Sequence, residues 1–276
     1  MRRGFTLIEV LVAMAIISIL AGIMVPAAWR VWENQEVQAT KERLNALKTA
    51  MVGDRTLQQN GIRTSYGFVG DVGELPFGAA TSLGGLKYLI TNPAPAYQNW
   101  NGPYLSSFDP ATYALDAWGR RMVYTPRNDQ DGFASRYLSG EIRSMGPDGI
   151  LGNADDIWVE VNSRETAPTY RMQGNVVYSN ITGTRYATIA VTFRDSLKPG
   201  GETTVVSSCK KIFPNFSSIL RDGGVPISLP IGRSTITTRL YSDPGCPGPV
   251  LGTSTIDYFT ADNIGRLLVN LPVAPN

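Results

Sequence analysis

The chain contains no histidine. That absence removes the commonest general base, the usual zinc ligand, and the Ser–His and Cys–His nucleophile pairs together. Cysteine is nearly as scarce. Cys209 and Cys246 are the only two in 276 residues, and neither sits in a C-x-x-C pair, so a zinc ribbon or thioredoxin-type centre is excluded by spacing. A surplus of either charge is missing too: 25 basic and 23 acidic side chains leave a formal net charge of +2. Beyond the N-terminus no basic cluster is interleaved with aromatics, so no nucleic-acid partner is expected. The sequence holds no G-x-S-x-G, no P-loop and no dinucleotide fingerprint. Asp155 and Asp156, and the nearby Asp129 and Asp131, are close acids in loops, which suit metal binding better than acid–base work across a cleft. The expectation is a chain that is not an enzyme.

What the chain does have is concentrated at its start. It reads Met1-Arg2-Arg3-Gly4-Phe5-Thr6-Leu7-Ile8-Glu9-Val10, and from Phe5 to Ala28 Glu9 is the only ionisable residue. The run from Phe5 to Pro26 gives roughly 33 Å of helix at about 1.5 Å per residue, enough for a bilayer core of about 30 Å. Arg2 and Arg3 would keep the N-terminus cytoplasmic and send the remainder outward, as a single pass. A cleaved secretory signal and a plain anchor share these features. Glu9 argues against both, because a carboxylate about one turn inside a membrane helix is costly and usually has a partner.

The Gly4-Phe5 junction followed by Thr6-Leu7-Ile8-Glu9 closely resembles the cleavage and methylation signature of type IV pilins and type II secretion pseudopilins. The resemblance implies that Gly4 ends a leader removed by a prepilin peptidase, and that Phe5 is then methylated on its new amine. Glu9 would meet the amine of Phe5 on a neighbouring subunit during filament assembly. An amine and a carboxylate buried together cost far less than either alone, so the pair would set the stagger. Pro26 matches a helix-interrupting proline of the family; it would loosen the helix or simply mark the membrane exit.

Past Pro26 the residues Trp29, Trp32, Val37, Leu44, Leu47 and Met51 lie near one helical face, with most charges elsewhere. Gln59-Asn60-Gly61 is a C-cap signal for the end of that helix. The segments 84–89, 99–105 and 116–124 then follow in an order that resembles the head of the major pseudopilin. Longer stretches at Phe108–Leu115 and Pro126–Gly140 depart from it.

Between Ser144 and Ile157 three carboxylates, Asp148, Asp155 and Asp156, share a stretch with Gly146, Gly149 and Gly152. Hard cations take oxygen donors, and calcium accepts the irregular set a loop supplies. Carbonyls of Ser144 and Ile150 would complete the shell. Spacing alone favours a solvated acidic turn slightly over a calcium site. The loop however resembles the calcium loop of the major pseudopilin, with its acids in matching places, and that implies calcium as the cofactor.

Beyond Arg164–Pro168 the text becomes β-branched and roughly alternating, at Val176–Tyr178, Tyr186–Phe193, Thr203–Val206, Ser234–Tyr241 and Leu267–Leu271. Cys209 and Cys246 both fall here. In a chain bound for an oxidising compartment they make one disulfide or remain two buried thiols. The expected fold is α+β: a long N-terminal membrane-spanning helix packed on a small antiparallel-sheet head with a calcium loop, then a separate all-β sandwich. The expected boundaries are a leader over 1–4, a helix over 5–60 with its transmembrane part at 5–28, a head over 61–162, a linker over 163–168 and the sandwich over 169–276. The function this implies is a structural subunit of a type IV-like filament, made at the inner membrane with prepilin peptidase and assembly machinery as partners, its head periplasmic and then part of a periplasmic or extracellular fibre. The alternative is a prepilin-anchored display protein whose C-terminal domain binds a partner protein or a glycan.

Overall fold

The computed structural model describes residues 7–59, 62–77, 85–92, 97–105, 112–130, 135–167, 169–178, 183–195, 198, 200–212, 218–221, 227–260 and 266–273. The leader, with Gly4 and Phe5, lies outside them, as do the side chains of Ile23, Pro26 and Ala27.

Helix α1 (Leu7–Val52) is the dominant element. It runs on through position 26, so Pro26 does not end it. Its N-terminal two thirds carry exposed apolar side chains, from Leu7 to Trp32, and burial in the head begins only at Thr40. Trp29 and Trp32 stack on each other in the open, 6.0 Å between centroids. The expected span at 5–28 lies partly outside the described residues, and among these no helix is long and apolar enough to cross a membrane. The helix also ends earlier than Gln59-Asn60-Gly61 suggests. Gly53 adopts φ +78°, donates its N–H to Thr49 O at 2.7 Å, and stops the helix with a left-handed residue that costs glycine little. Asp54 then takes the Thr56 N–H and hydroxyl at 2.8 and 2.7 Å, which turns the chain away.

Beyond it come the two-residue strands β1 (Gln58–Gln59) and β2 (Ile62–Arg63), and α2 (Gly67–Val72). Strands β3 (Val123–Gln130), β4 (Ser135–Ser144) and β5 (Ile157–Val161) form an antiparallel sheet in that order. α1 packs on α2, β4 and β5. Leu44, Leu47 and Met51 join Phe68, Leu89, Tyr124, Ile142 and Val161 in one core. Tyr97 is wedged edge-on between Phe68, Phe77 and Tyr88 with centroids 4.9–5.3 Å apart.

Where a linker was expected, α3 (Ser163–Thr166) is closed by an Asn162/Glu165 capping box. Glu165 also pairs with Lys48 of α1 at 2.9 Å. The distal strands follow: β6 (Thr169–Tyr178), β7 (Arg185–Arg194), β8 (Glu202–Val206), β9 (Lys210–Ile212), β10 (Ser218–Arg221), β11 (Ile227–Ser228), β12 (Gly232–Tyr241), β13 (Val250–Thr260) and β14 (Arg266–Val273). The five runs read from the sequence fall inside β6, β7, β8, β12 and β14. One sheet is ordered β13-β12-β7-β8, with β9 also on β7; the other holds β10, β6, β11 and β14. β14 pairs with β6 in parallel, the exception to an otherwise antiparallel pattern among the described strands. Phe193, Ile212, Leu229, Ile236 and Leu240 are buried in a second core.

This half packs against the head. Ile231 belongs to the head's core, and its N–H donates to Thr166 O at 2.7 Å. The buried Arg136 of β4 lays its guanidinium over the ring of Phe193 of β7, 5.5 Å from the centroid. Asn99 donates to Gly201 O at 2.7 Å and accepts from Arg194 at 3.1 Å. Gly73, at the end of α2, meets the backbone of Arg194 with no room for a side chain.

Candidate functional site

Two places carry the residues singled out from the sequence. Glu9 lies in the first turn of α1, where the helix dipole favours a negative charge, among the exposed Leu7, Ile8, Val10 and Leu11. Its expected partner, the amine of Phe5, falls outside the described residues.

The acidic stretch is the connection between β4 and β5, closed at its base by the Ser144–Ile157 pair of the ladder. Each carboxylate is engaged by donors from the loop itself. Asp148 takes the Ile150 N–H at 2.7 Å and the Asn153 amide at 2.6 Å. Asp155 takes the Asp148 N–H at 3.2 Å. Asp156, whose side chain is 1% exposed, takes the Gly152 N–H at 2.8 Å and pairs with Arg143 at 3.0 Å through the same oxygen. Burial pushes the Asp156 carboxyl up, but those donors outweigh it and hold the group below the usual carboxylate range. Its other oxygen, Oδ1, is buried with no hydrogen-bond partner among the described residues. A buried acceptor without a donor is rare and costly. Among the described residues no three acids stand together as a metal cage. Like charges repel, and these carboxylates have turned to separate N–H donors.

Of the expected carbonyl donors, Ile150 is exposed at the loop tip and Ser144 is fully buried at its base. Ser144 Oγ donates to Asp116 Oδ2 at 2.8 Å and accepts the Gly146 N–H at 3.3 Å. Asp116 Oδ1 takes the Arg120 N–H at 2.8 Å, and the Arg120 guanidinium donates to Gly146 O. Arg43 of α1 donates to the carbonyls of Leu115 and Asp116 at 3.0 and 2.6 Å. Asp116, Arg120 and Arg143 thus hold the loop, although the sequence reading gave none of them that role. The signal was present, since Arg143 directly precedes Ser144, and Asp116 and Arg120 lie in the segment that resembles the pseudopilin head.

Elsewhere Cys209 and Cys246 form a disulfide with Cα atoms 5.8 Å apart. With a sequence separation of 37, the closed loop is worth about 3–4 kcal/mol on the chain-entropy model.

Residues 1–25 match the model of the prokaryotic N-terminal methylation motif, and residues 68–160 match that of type II secretion system protein G. Over these two segments the chain is similar to type II secretion pseudopilins. Both matched families are structural rather than enzymatic, and the second match covers the head and the whole β4–β5 loop. Neither match reaches past residue 160, so the distal half is an addition to the matched pseudopilin head. No curated protein and no solved structure matches the chain.

Proposed function

We propose that this pseudopilin-like chain is a structural subunit of a type IV-like filament, a secretion pseudopilus or a pilus. The carrying observation is the division of α1. Its last turns are clamped in the head, while some thirty residues before them expose Leu, Ile, Val, Met and Trp side chains to solvent. Apolar surface on that scale calls for a bilayer or for copies of itself. In this reading the leader is removed by prepilin peptidase after Gly4, and Phe5 is methylated. The apolar part of α1 crosses the inner membrane once, and the inner-membrane assembly machinery extracts it into the fibre. Glu9 pairs with the Phe5 amine of a neighbour. Electron microscopy of sheared surface fractions tests this: cells producing the chain are expected to yield fibres containing it, and the Glu9→Ala variant none. Fibres undiminished by Glu9→Ala would end the pairing role. No surface fibres, with the chain remaining in the inner membrane, would favour a short secretion pseudopilus or a minor subunit over a pilus.

The same proposal includes calcium in the β4–β5 loop. Asp148, Asp155 and Asp156 would supply carboxylate oxygens, with the carbonyls of Ser144 and Ile150. The orphaned Asp156 Oδ1 supports a missing cation there, and an all-oxygen donor set suits a hard one. Bound calcium would neutralise the loop's charge and fix its path. Calcium at about a hundred times its Kd is expected to add about 2.7 kcal/mol of stability. Scanning calorimetry with calcium and then with chelator should show that shift, and the Asp155→Ala, Asp156→Ala double variant should lose it. Equal melting in both buffers would remove calcium from the proposal.

A further inference from the structure

A cleft of about 780 Å³ opens where α1, the turn before α2, the loop at 99–105 and strands β7, β12 and β13 meet. It belongs to neither half alone. The head supplies Asp54, Asp71, Asn101 and Tyr104, and the distal half supplies Arg194, Arg233 and Phe259. Its floor is small, formed by Ala46, Thr49 and Ala50 of α1, so the backbone of the helix is approachable.

The walls combine two chemistries. Tyr66 and Phe259 stack nearly parallel, 17° between planes and 6.2 Å between centroids, and Phe259 stays 44% exposed although nothing polar holds it at the surface. The remaining lining sets Leu57 and Leu105 beside hydrogen-bonding side chains, among them Asp71, Asn101 and Tyr104. Asp71 accepts from the Tyr104 hydroxyl at 2.7 Å, and that hydroxyl accepts the Asn101 N–H at 3.0 Å. The cations are matched: Arg194 pairs with Glu202 at 2.7 Å and Arg233 with Asp257 at 2.8 Å. Asp54 is held by Thr56. Among the described residues lining the cleft both arginines already face an acid, so neither is set to select a phosphate or carboxylate.

An exposed aromatic face beside fixed amide, carboxylate and guanidinium groups, with charges already paired, suits a ligand having an apolar C–H face and a rim of hydroxyls. The volume is that of ordinary ligand clefts, and a junction between two packed units is a usual place for one. We infer that this composite cleft binds a neutral oligosaccharide, whether or not the chain polymerises. Phe259 stacks on a sugar ring, and Asp71, Asn101 and Arg194 hydrogen-bond its hydroxyls.

The test uses the full chain, purified in a zwitterionic detergent without a sugar headgroup. It is screened on an array of neutral and acidic oligosaccharides, and the best neutral hit is then titrated by calorimetry. Binding of a neutral oligosaccharide is expected. Phe259→Ala and Asp71→Asn should each weaken it by about tenfold or more, the equivalent of about 1.4 kcal/mol. Both variants should fold, because Phe259 is half exposed and asparagine matches aspartate in shape, and unchanged melting would confirm it. Retention of acidic sugars only, no retention at all, or affinity untouched by both substitutions in folded protein would each overturn the inference.

Discussion

Gly73→Ala is expected to loosen the distal half from the head. Gly73 caps α2 with φ +94°, and its N–H donates to Val69 O at 2.8 Å. A Cβ there would overlap the Arg194 carbonyl oxygen and carbon and stand 3.3 Å from Asp195 N. The left-handed backbone costs a non-glycine residue about 1–2 kcal/mol, and the collision with backbone adds about 1–3 kcal/mol because neither side can rotate away. Together these predict a fall in Tm of roughly 5–15 °C, at about 2–4 °C per kcal/mol for a chain near this size. Gly119→Ala is the control, since its φ is +77° but an added Cβ meets nothing within 4 Å. It should carry the backbone cost alone. Limited proteolysis should release the distal half sooner from Gly73→Ala than from Gly119→Ala. Equal melting and equal cleavage in the two variants would show that the seam does not bear on the Gly73–Arg194 contact.

The seam also shows why parts of this fold were legible in the sequence and others were not. α1 and five of the distal strands announce themselves by period and by β-branched runs, because burial on one face imposes that spacing, whereas the head was legible only through its resemblance. The strand β13, Val250–Thr260, escaped. It is an edge strand whose Gly252, Ser254 and Asp257 interrupt the apolar alternation, and edge strands tolerate polar residues on both faces. The junction escaped for another reason. Glu74, Arg136 and Asp195 are buried charges that read in sequence as ordinary surface residues, and Gly73 reads as a turn. Their meaning depends on which distant segment packs against them. The acidic loop lies between these cases: its carboxylates stand close in sequence, but Arg143 and Asp116, which fix them, are identified only by the β4–β5 ladder and by a contact across 28 residues. The composite cleft draws on segments from Ala46 to Phe259, so no local pattern could have marked it.

Asp116→Ala is expected to have the largest effect on the head. The side chain is fully buried, and it accepts from two donors, the Arg120 N–H and Ser144 Oγ at 2.8 Å, while Arg120 Nε stands 3.5 Å away as its ion-pair partner. Alanine leaves the buried Ser144 hydroxyl without that acceptor and the half-buried Arg120 guanidinium without its counter-charge. Removing one partner of a buried ion pair costs about 3–5 kcal/mol, a fall in Tm on the order of 10 °C. Asp116→Asn keeps the shape and one acceptor oxygen, so its loss should be intermediate. Ser144→Ala removes a single hydroxyl and should cost about 1 kcal/mol. The double variant separates packing from polarity: if Asp116 acts through Ser144, the two costs will not add. The chain of contacts from Asp116 through Ser144 to the Gly146 N–H reaches the base of the acidic loop. Asp116→Ala should therefore weaken calcium binding as well as lower Tm, although Asp116 is not among the proposed ligands. Isothermal titration with calcium on Asp116→Asn, the better-folded variant, is the decisive measurement. A Kd unchanged from the parent chain would confine Asp116 to packing, and a raised Kd would make it the residue through which α1, held by Arg43, positions the loop.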